Sequence, residues 1–357
     1  MSYVLAALGF VALIILHEFG HFIAAKSVGM RVERFSLFFG PLLVKFRRGE
    51  TEYGIAPIPL GGYVRISGMN PNERLPEEVL PRAYYNQPVW KRIVVILAGP
   101  VMNLLIAFVI VWALFMSQGQ SVPGKNVAVV QKGTPAAAVL RPSDEIVSVD
   151  GVSGSETAIR NQIGTHTCAG AQVNGCKAAT PAKVVVRRDG KLYTFEITPR
   201  YNVDAARPLL GFEFGSVQQS VGAARAASLS VTGLWGVTRQ TVGVVGRIFE
   251  PRERKQLSGI VGGYTVTQES FATSTTDALK VLALISLSLA IINLFPFLPL
   301  DGGHIFWAVA EKVRGKRIPF AVMERAGIIG FALILLLFVI GLSNDISTLS
   351  GKGFNIH

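Results

Sequence analysis

"YVLAALGFVALIILHEFGH", residues 3–21, decides how the chain is to be read. From Tyr3 to Leu16 it is apolar with no polar stripe, the pattern of a helix surrounded by apolar neighbours or lipid on every side. It then delivers two of the chain's five histidines and a glutamate, His17, Glu18 and His21, almost together. Ionisable groups at such a place are costly and mark function by default. The question is what pairs them.

The rest of the chain supports a membrane setting. It has 357 residues, of which 50% are hydrophobic and 16% charged, with a mean hydropathy of +0.42. Four runs come near the ~20 residues that cross ~30 Å of hydrocarbon: Tyr3–Ala25, Ile93–Met116, Leu279–Leu300 and Ala321–Leu342. The first lacks a basic leading region and a small-residue cleavage pattern, so it reads as an uncleaved span rather than a signal peptide. The expected class is a multi-span α-helical membrane protein with four spans, a membrane-associated β-segment and one soluble α+β domain.

The net charge of +12 does not require nucleic acid, because membrane proteins concentrate Lys and Arg in cytoplasmic loops. Arg31, Arg34, Lys45, Arg47, Arg48, Arg65, Lys91 and Arg92 lie between the first two spans. Lys312, Arg314, Lys316 and Arg317 lie between the last two, and the tail holds only Lys352. Both basic loops are therefore expected in the cytoplasm, with the termini and the long middle segment outside. Cys168 and Cys176 fall in that outer segment, where an oxidising compartment would let them pair. Two free thiols are the alternative, and His166 alone makes a poor companion for a zinc site there.

Residues 1–30 carry the first span, and 31–70 alternate in a way that suits strands at Val32–Phe38, Leu42–Phe46 and Tyr63–Ile66. This segment is too apolar for an ordinary loop and reads as β-hairpins packed on or dipping into the membrane. A polar, proline-bearing connector at 71–91 leads to the second span at 92–117. Residues 121–201 read as the soluble domain, with a hairpin turning at Asp189-Gly190. Residues 219–270 are expected as interfacial helix and linker, 278–301 as the third span, 321–342 as the fourth and 343–357 as a tail.

His17 and His21, four apart on a helix, share a face and can present imidazoles to one ion, with Glu18 one step round beside a metal-bound water. Zinc with three protein ligands keeps an open position and acidifies its water to about pKa 7. A carboxylate there can take the proton as an amide carbonyl is attacked. The third ligand is expected in "INLFPFLPLDGGHIF", residues 292–306. Pro296 and Pro299 must break that helix, and an aspartate at such a break, Asp301, is expensive unless coordinated. Asn293 could hold substrate backbone or a developing oxyanion, or simply bond a neighbouring helix. His304 is a tempting fourth ligand, set aside because the open position must stay free.

These segments resemble the site-2 protease family of intramembrane zinc metalloproteases, specifically its PDZ-containing bacterial members. "HEFGH" resembles the family's H-E-x-x-H, and "IPLGGYVRISGM" its cytoplasmic-side β-segment. "QPVWKRIVVILAGPVMN", with the G-x-x-x-N step Gly99–Asn103, resembles the start of its second span. "NLFPFLPLDGG" resembles N-x-x-P-x-P-x-L-D-G, except that the second proline falls one place later, at Pro299, with the Asn-to-Asp spacing kept. "KGTPAAAVLRPSDEIVSVDG" resembles a PDZ pattern in which Val139 and Ser143 replace glycines. A single such domain with a cysteine-containing insertion looks most like the actinobacterial branch.

The resemblance implies one Zn2+ held by His17, His21 and Asp301, with Glu18 as the base and Asn293 positioning substrate. It implies that the strand around Gly61, Gly62 and Tyr63 takes an unwound substrate segment as an added strand. The implied substrates are single-span membrane proteins already trimmed outside by another protease, anti-sigma factors being the usual example, cut to release a cytoplasmic fragment. The PDZ-like domain would act outside as a size filter or sensor. The implied location is a bacterial cytoplasmic membrane, with the active site toward the cytoplasm. Two other readings compete with this one. A membrane metalloprotease acting on soluble chains would draw a glutamate as third ligand from a later helix, where this chain offers Asp301. A membrane scaffold or transporter with a PDZ module would leave Glu18 between two co-facial histidines unexplained.

Overall fold

The computed structural model describes residues 2–70, 72–246 and 274–350. The helices are α1 (Ser2–Ser27), α2 (Val89–Gln118), α3 (Glu156–Gly164), α4 (Ala223–Gly246), α5 (Thr275–Asn293), α6 (Asp301–Arg314) and α7 (Phe320–Ser350). The chain divides into two compact units, one of Met1–Leu114 with Ala223–His357, the other Phe115–Gly222.

In the first unit, four helices are long and apolar enough to cross a membrane: Val4–Ser27, Val89–Gln118, Thr275–Asn293 and Phe320–Ile346. Large apolar side chains such as Ile328, Ile329 and Phe331 stand exposed along α7, as lipid-facing residues would. The chain is a multi-span membrane protein. Its third spanning helix is shorter than the expected 278–301, because α5 stops at Asn293. Residues 294–300, with Pro296 and Pro299, form turns that cannot continue a helix. The fourth runs past the expected end at 342, since "GLSNDISTLS" carries no proline to stop α7.

The β-segment is a four-stranded sheet of β1 (Val32–Phe39), β2 (Val44–Arg48), β3 (Thr51–Ile55) and β4 (Ile58–Ile66), ordered β2-β3-β1-β4. It is not a set of plain hairpins, because β1 and β3 run parallel. The "TEYGI" strand is not announced by its sequence, where a glycine interrupts the pattern, and it forms by pairing with both β1 and β2. Beneath the sheet, Ala25, Met30, Val32, Tyr84, Val95 and Ile96 make a core that joins α1, α2 and the sheet. Helix α4 lays Leu234 against Ala107, Leu287 and Ile291. The remainder of the expected interfacial stretch, 247–270, lies outside the described residues.

The second unit holds β5 (Gln120–Val130), β6 (Glu145–Val149), β7 (Ala182–Arg188), β8 (Lys191–Ile197) and β11 (Phe212–Gln219) in one sheet of order β11-β5-β6-β7-β8. A small ribbon pairs β9 (Arg200–Asn202) with β10 (Arg207–Leu209). Helix α3 packs Ile159 and Ile163 into the core formed by Ile146, Val149, Val184 and Val186. The β7–β8 turn places Asp189 and Gly190 at φ 50° and 77°, as a two-residue hairpin loop requires. The unit extends to Gly222, well beyond the expected 201, because the last strand returns to pair with the first. Cys168 and Cys176 are bonded, with Cα atoms 6.1 Å apart.

Candidate active site

Helix α1 carries His17 and His21 on one face, both buried, and the break before α6 brings Asp301 to them. Asp301 Oδ2 lies 3.2 Å from His17 Nε2 and 3.3 Å from His21 Nε2. The two Nε2 atoms are 3.3 Å apart. Asp301 is the first residue of α6, where the helix dipole favours a carboxylate. Glycines let the break pack tightly: a side chain at Gly303 would come within 2.5 Å of the Leu298 backbone nitrogen.

The hydrogen bonding of these groups decides what they can hold. His21 Nδ1 lies 2.8 Å from the Val95 carbonyl, which can only accept. Nδ1 therefore carries the hydrogen and Nε2 presents a lone pair. Pro100, one turn further along α2, has no N–H to give the Ile96 carbonyl. Asp301 Oδ2 is buried yet has hydrogen-bond geometry to neither imidazole. Three potential ligand atoms thus converge, all within 4.8 Å of one another, and among the described residues this is the one such group of histidine, cysteine and acidic side chains. A carboxylate oxygen with no hydrogen-bond partner beside two imidazole nitrogens is a setting that a bound cation would satisfy. Two imidazoles and a carboxylate fit zinc with its fourth position open.

The same residues open on a cavity of about 310 Å³, also lined by Glu18, Tyr63, Asn103, Asn293 and His304. Glu18 lies against the Val64 backbone N–H on β4. A side chain at Gly62 would come 3.4 Å from Glu18 Cγ and 2.9 Å from the Ser36 carbonyl. Strand β4 is an edge of its sheet, pairing with β1 on one side. Tyr63 is held over it by Arg34, 3.1 Å from its hydroxyl, and by stacking on Phe39. Every site residue expected from sequence in this unit therefore faces one cavity or flanks it. His304 lines the cavity without joining the three-atom cluster.

The sequence marks Gly99 and Asn103 only as a spaced pair and Arg92 only as a loop charge, and their roles come from the structure. Gly99 has no room for a side chain, since a Cβ would fall against His21 Nε2 and 2.8 Å from His17 Cε1. Asn103 is fully buried beside His17. Arg92, expected as one of many cytoplasmic loop charges, is instead buried in the first turns of α2 and paired with Glu311 of α6 at 2.9 Å. It joins the helix behind the histidines to the helix that carries Asp301. Neither its sequence neighbours nor its spacing announces a partner over two hundred residues away.

Comparison with known proteins gives the chemistry its class. The model of peptidase family M50 matches residues 5–337. Zinc metalloprotease Rip1 of Mycobacterium tuberculosis is 32% identical over 87% of this chain and 86% of its own length. A candidate zinc metalloprotease of Brucella suis is 31% identical over 93% of this chain and 92% of its own, and one of Campylobacter jejuni 28% over 95% and 92%. These identities are too close to single out one bacterial branch. They do decide against a scaffold or transporter. With zinc-ligand chemistry and four membrane helices already in place, the chain belongs to peptidase family M50, the site-2-type zinc metalloproteases.

Proposed function

We propose that the chain cuts the membrane-spanning segment of single-span proteins, releasing a fragment to the cytoplasm, with His17, His21 and Asp301 as the ligands of one zinc ion. The observation that carries this is the convergence of three ligand atoms, two from the apolar α1 and one from the start of α6, in a cavity that also holds Glu18 and borders a sheet edge. Zinc, when bound, supplies an acidified water and polarises the scissile carbonyl. Glu18 would take a proton from the attacking water and return it to the leaving amine nitrogen. Asn293, at the end of α5, offers its amide to the substrate backbone. A helical substrate must unwind before its amide can be attacked, and β4 around Gly61, Gly62 and Tyr63 offers the extended segment a strand to pair with.

The basic loops support a cytoplasmic location for the cut end, and the bonded pair Cys168–Cys176 supports an outside location for the second unit. There the PDZ-like domain acts as a filter for substrates already trimmed by another protease, with anti-sigma factors as the substrate class. The test is cleavage of a pre-trimmed single-span reporter in reconstituted vesicles, read by fragment mass. Wild type should cut within the span and be inhibited by a zinc chelator, while Glu18→Gln should fall by about 10²–10⁴-fold. Equal cleavage by both proteins would move the activity elsewhere.

A further inference from the structure

A zinc-bound imidazole keeps a hydrogen on the nitrogen that faces away from the metal, and in a dry interior that hydrogen needs an acceptor. His21 has one in the Val95 carbonyl. The polar group beside His17 Nδ1 is the Asn103 carboxamide, whose Nδ2 lies 3.2 Å away. In that rotamer a donor faces Nδ1. The ring hydrogen is then driven to Nε2, the atom directed at Asp301 and His21, where it would block ligation. The amide's own oxygen meanwhile is buried with no hydrogen-bond partner. Turning the carboxamide by 180° exchanges the two atoms within the same space. Oδ1 then accepts from His17 Nδ1–H, Nε2 is left with its lone pair, and the amide nitrogen takes the buried place that the oxygen held.

We propose that Asn103 is a positioning residue that holds His17 in its zinc-binding tautomer by accepting a hydrogen bond from Nδ1–H through Oδ1. Its setting suits the task. Asn103 is fully buried, and its backbone carbonyl accepts from Ser286 Oγ on α5 at 2.7 Å, which fixes this turn of α2. Val95, Gly99 and Asn103 follow one another at four-residue spacing, so they lie along one face of α2. His17 and His21 have the same spacing on α1. Val95 thus serves His21, Asn103 serves His17, and Gly99 between them leaves room for both rings. The inference rests on the ligand assignment proposed above.

The test is zinc affinity of the purified full-length protein, measured by competition with a chelator, together with ¹⁵N spectra of its labelled histidines. Asn103→Leu keeps the volume and removes the acceptor. Asn103→Asp keeps an acceptor and removes the donor. Loss of such an outer partner typically costs 10–100-fold in metal affinity. The expected result is about 10–100-fold weaker zinc binding for Asn103→Leu, with the His17 signal losing its Nδ1–H signature, and near-wild-type affinity for Asn103→Asp. Wild-type affinity in Asn103→Leu would overturn the proposal. So would equal weakening in both variants, which would make the residue a donor or a packing group. If instead Asp301→Asn bound zinc as wild type does, the ligand assignment itself would fail.

Discussion

A Cβ at Gly99 would press on both imidazoles, so Gly99→Ala should displace one or both rings while leaving α2 helical. Displacements of about 1 Å near reacting groups can cost about 10²-fold. The expected outcome is a loss of reporter cleavage on that scale, with unchanged membrane insertion and an unchanged melting profile. In the second unit, Arg188 pairs with Asp144 at 2.7 Å and holds its carboxyl below the ordinary value of 3.8. The stabilisation is therefore complete above about pH 4 and lost as pH falls through the depressed value. Amide protection in β6 and β7 should weaken on acidification of the wild type. Arg188→Ala, which strands a buried carboxylate, should cost about 3 kcal/mol at neutral pH. At this scale the sequence was informative wherever chemistry travels with spacing, as in His17, Glu18 and His21. It marked Gly99 and Asn103 only as a spaced pair and was mute on the partner of Arg92, since these roles come from atoms on other helices.

Among the elements, the break between α5 and α6 was the most legible, because two prolines and an aspartate in an apolar run admit few other structures. The strands were less so. β11 opens on Phe212 and Phe214 but ends in polar residues, and its partner β5 lies about ninety positions earlier, so nothing local marks it. The Arg92–Glu311 pair makes a prediction at this level. Removing one partner, as in Arg92→Ala, leaves a buried charge and should cost about 3–5 kcal/mol of thermal stability, together with zinc affinity, because α6 carries Asp301. Arg92→Met with Glu311→Leu should restore most of the stability, since well-packed apolar replacements of buried ion pairs are often neutral. Equal destabilisation by the single and double replacements would show that the pair is not what joins α2 to α6.

For the whole molecule, four membrane helices could be read directly from hydropathy, whereas the extent of the second unit could not, since its closing strand belongs to a non-local sheet. The sidedness inferred from the basic loops predicts that a cysteine placed at Lys191 reacts with an impermeant thiol reagent added to intact cells. One placed at Lys316 should react only after the membrane is opened. The reverse pattern would invert the proposed topology. The account stands most directly on the metal centre, and X-ray absorption at the zinc edge of the loaded, purified protein tests it. Two imidazole nitrogens and further oxygen ligands at about 2.0–2.2 Å, with no sulfur, are predicted. A spectrum with sulfur ligands or fewer than two imidazoles would contradict a site made by His17, His21 and Asp301.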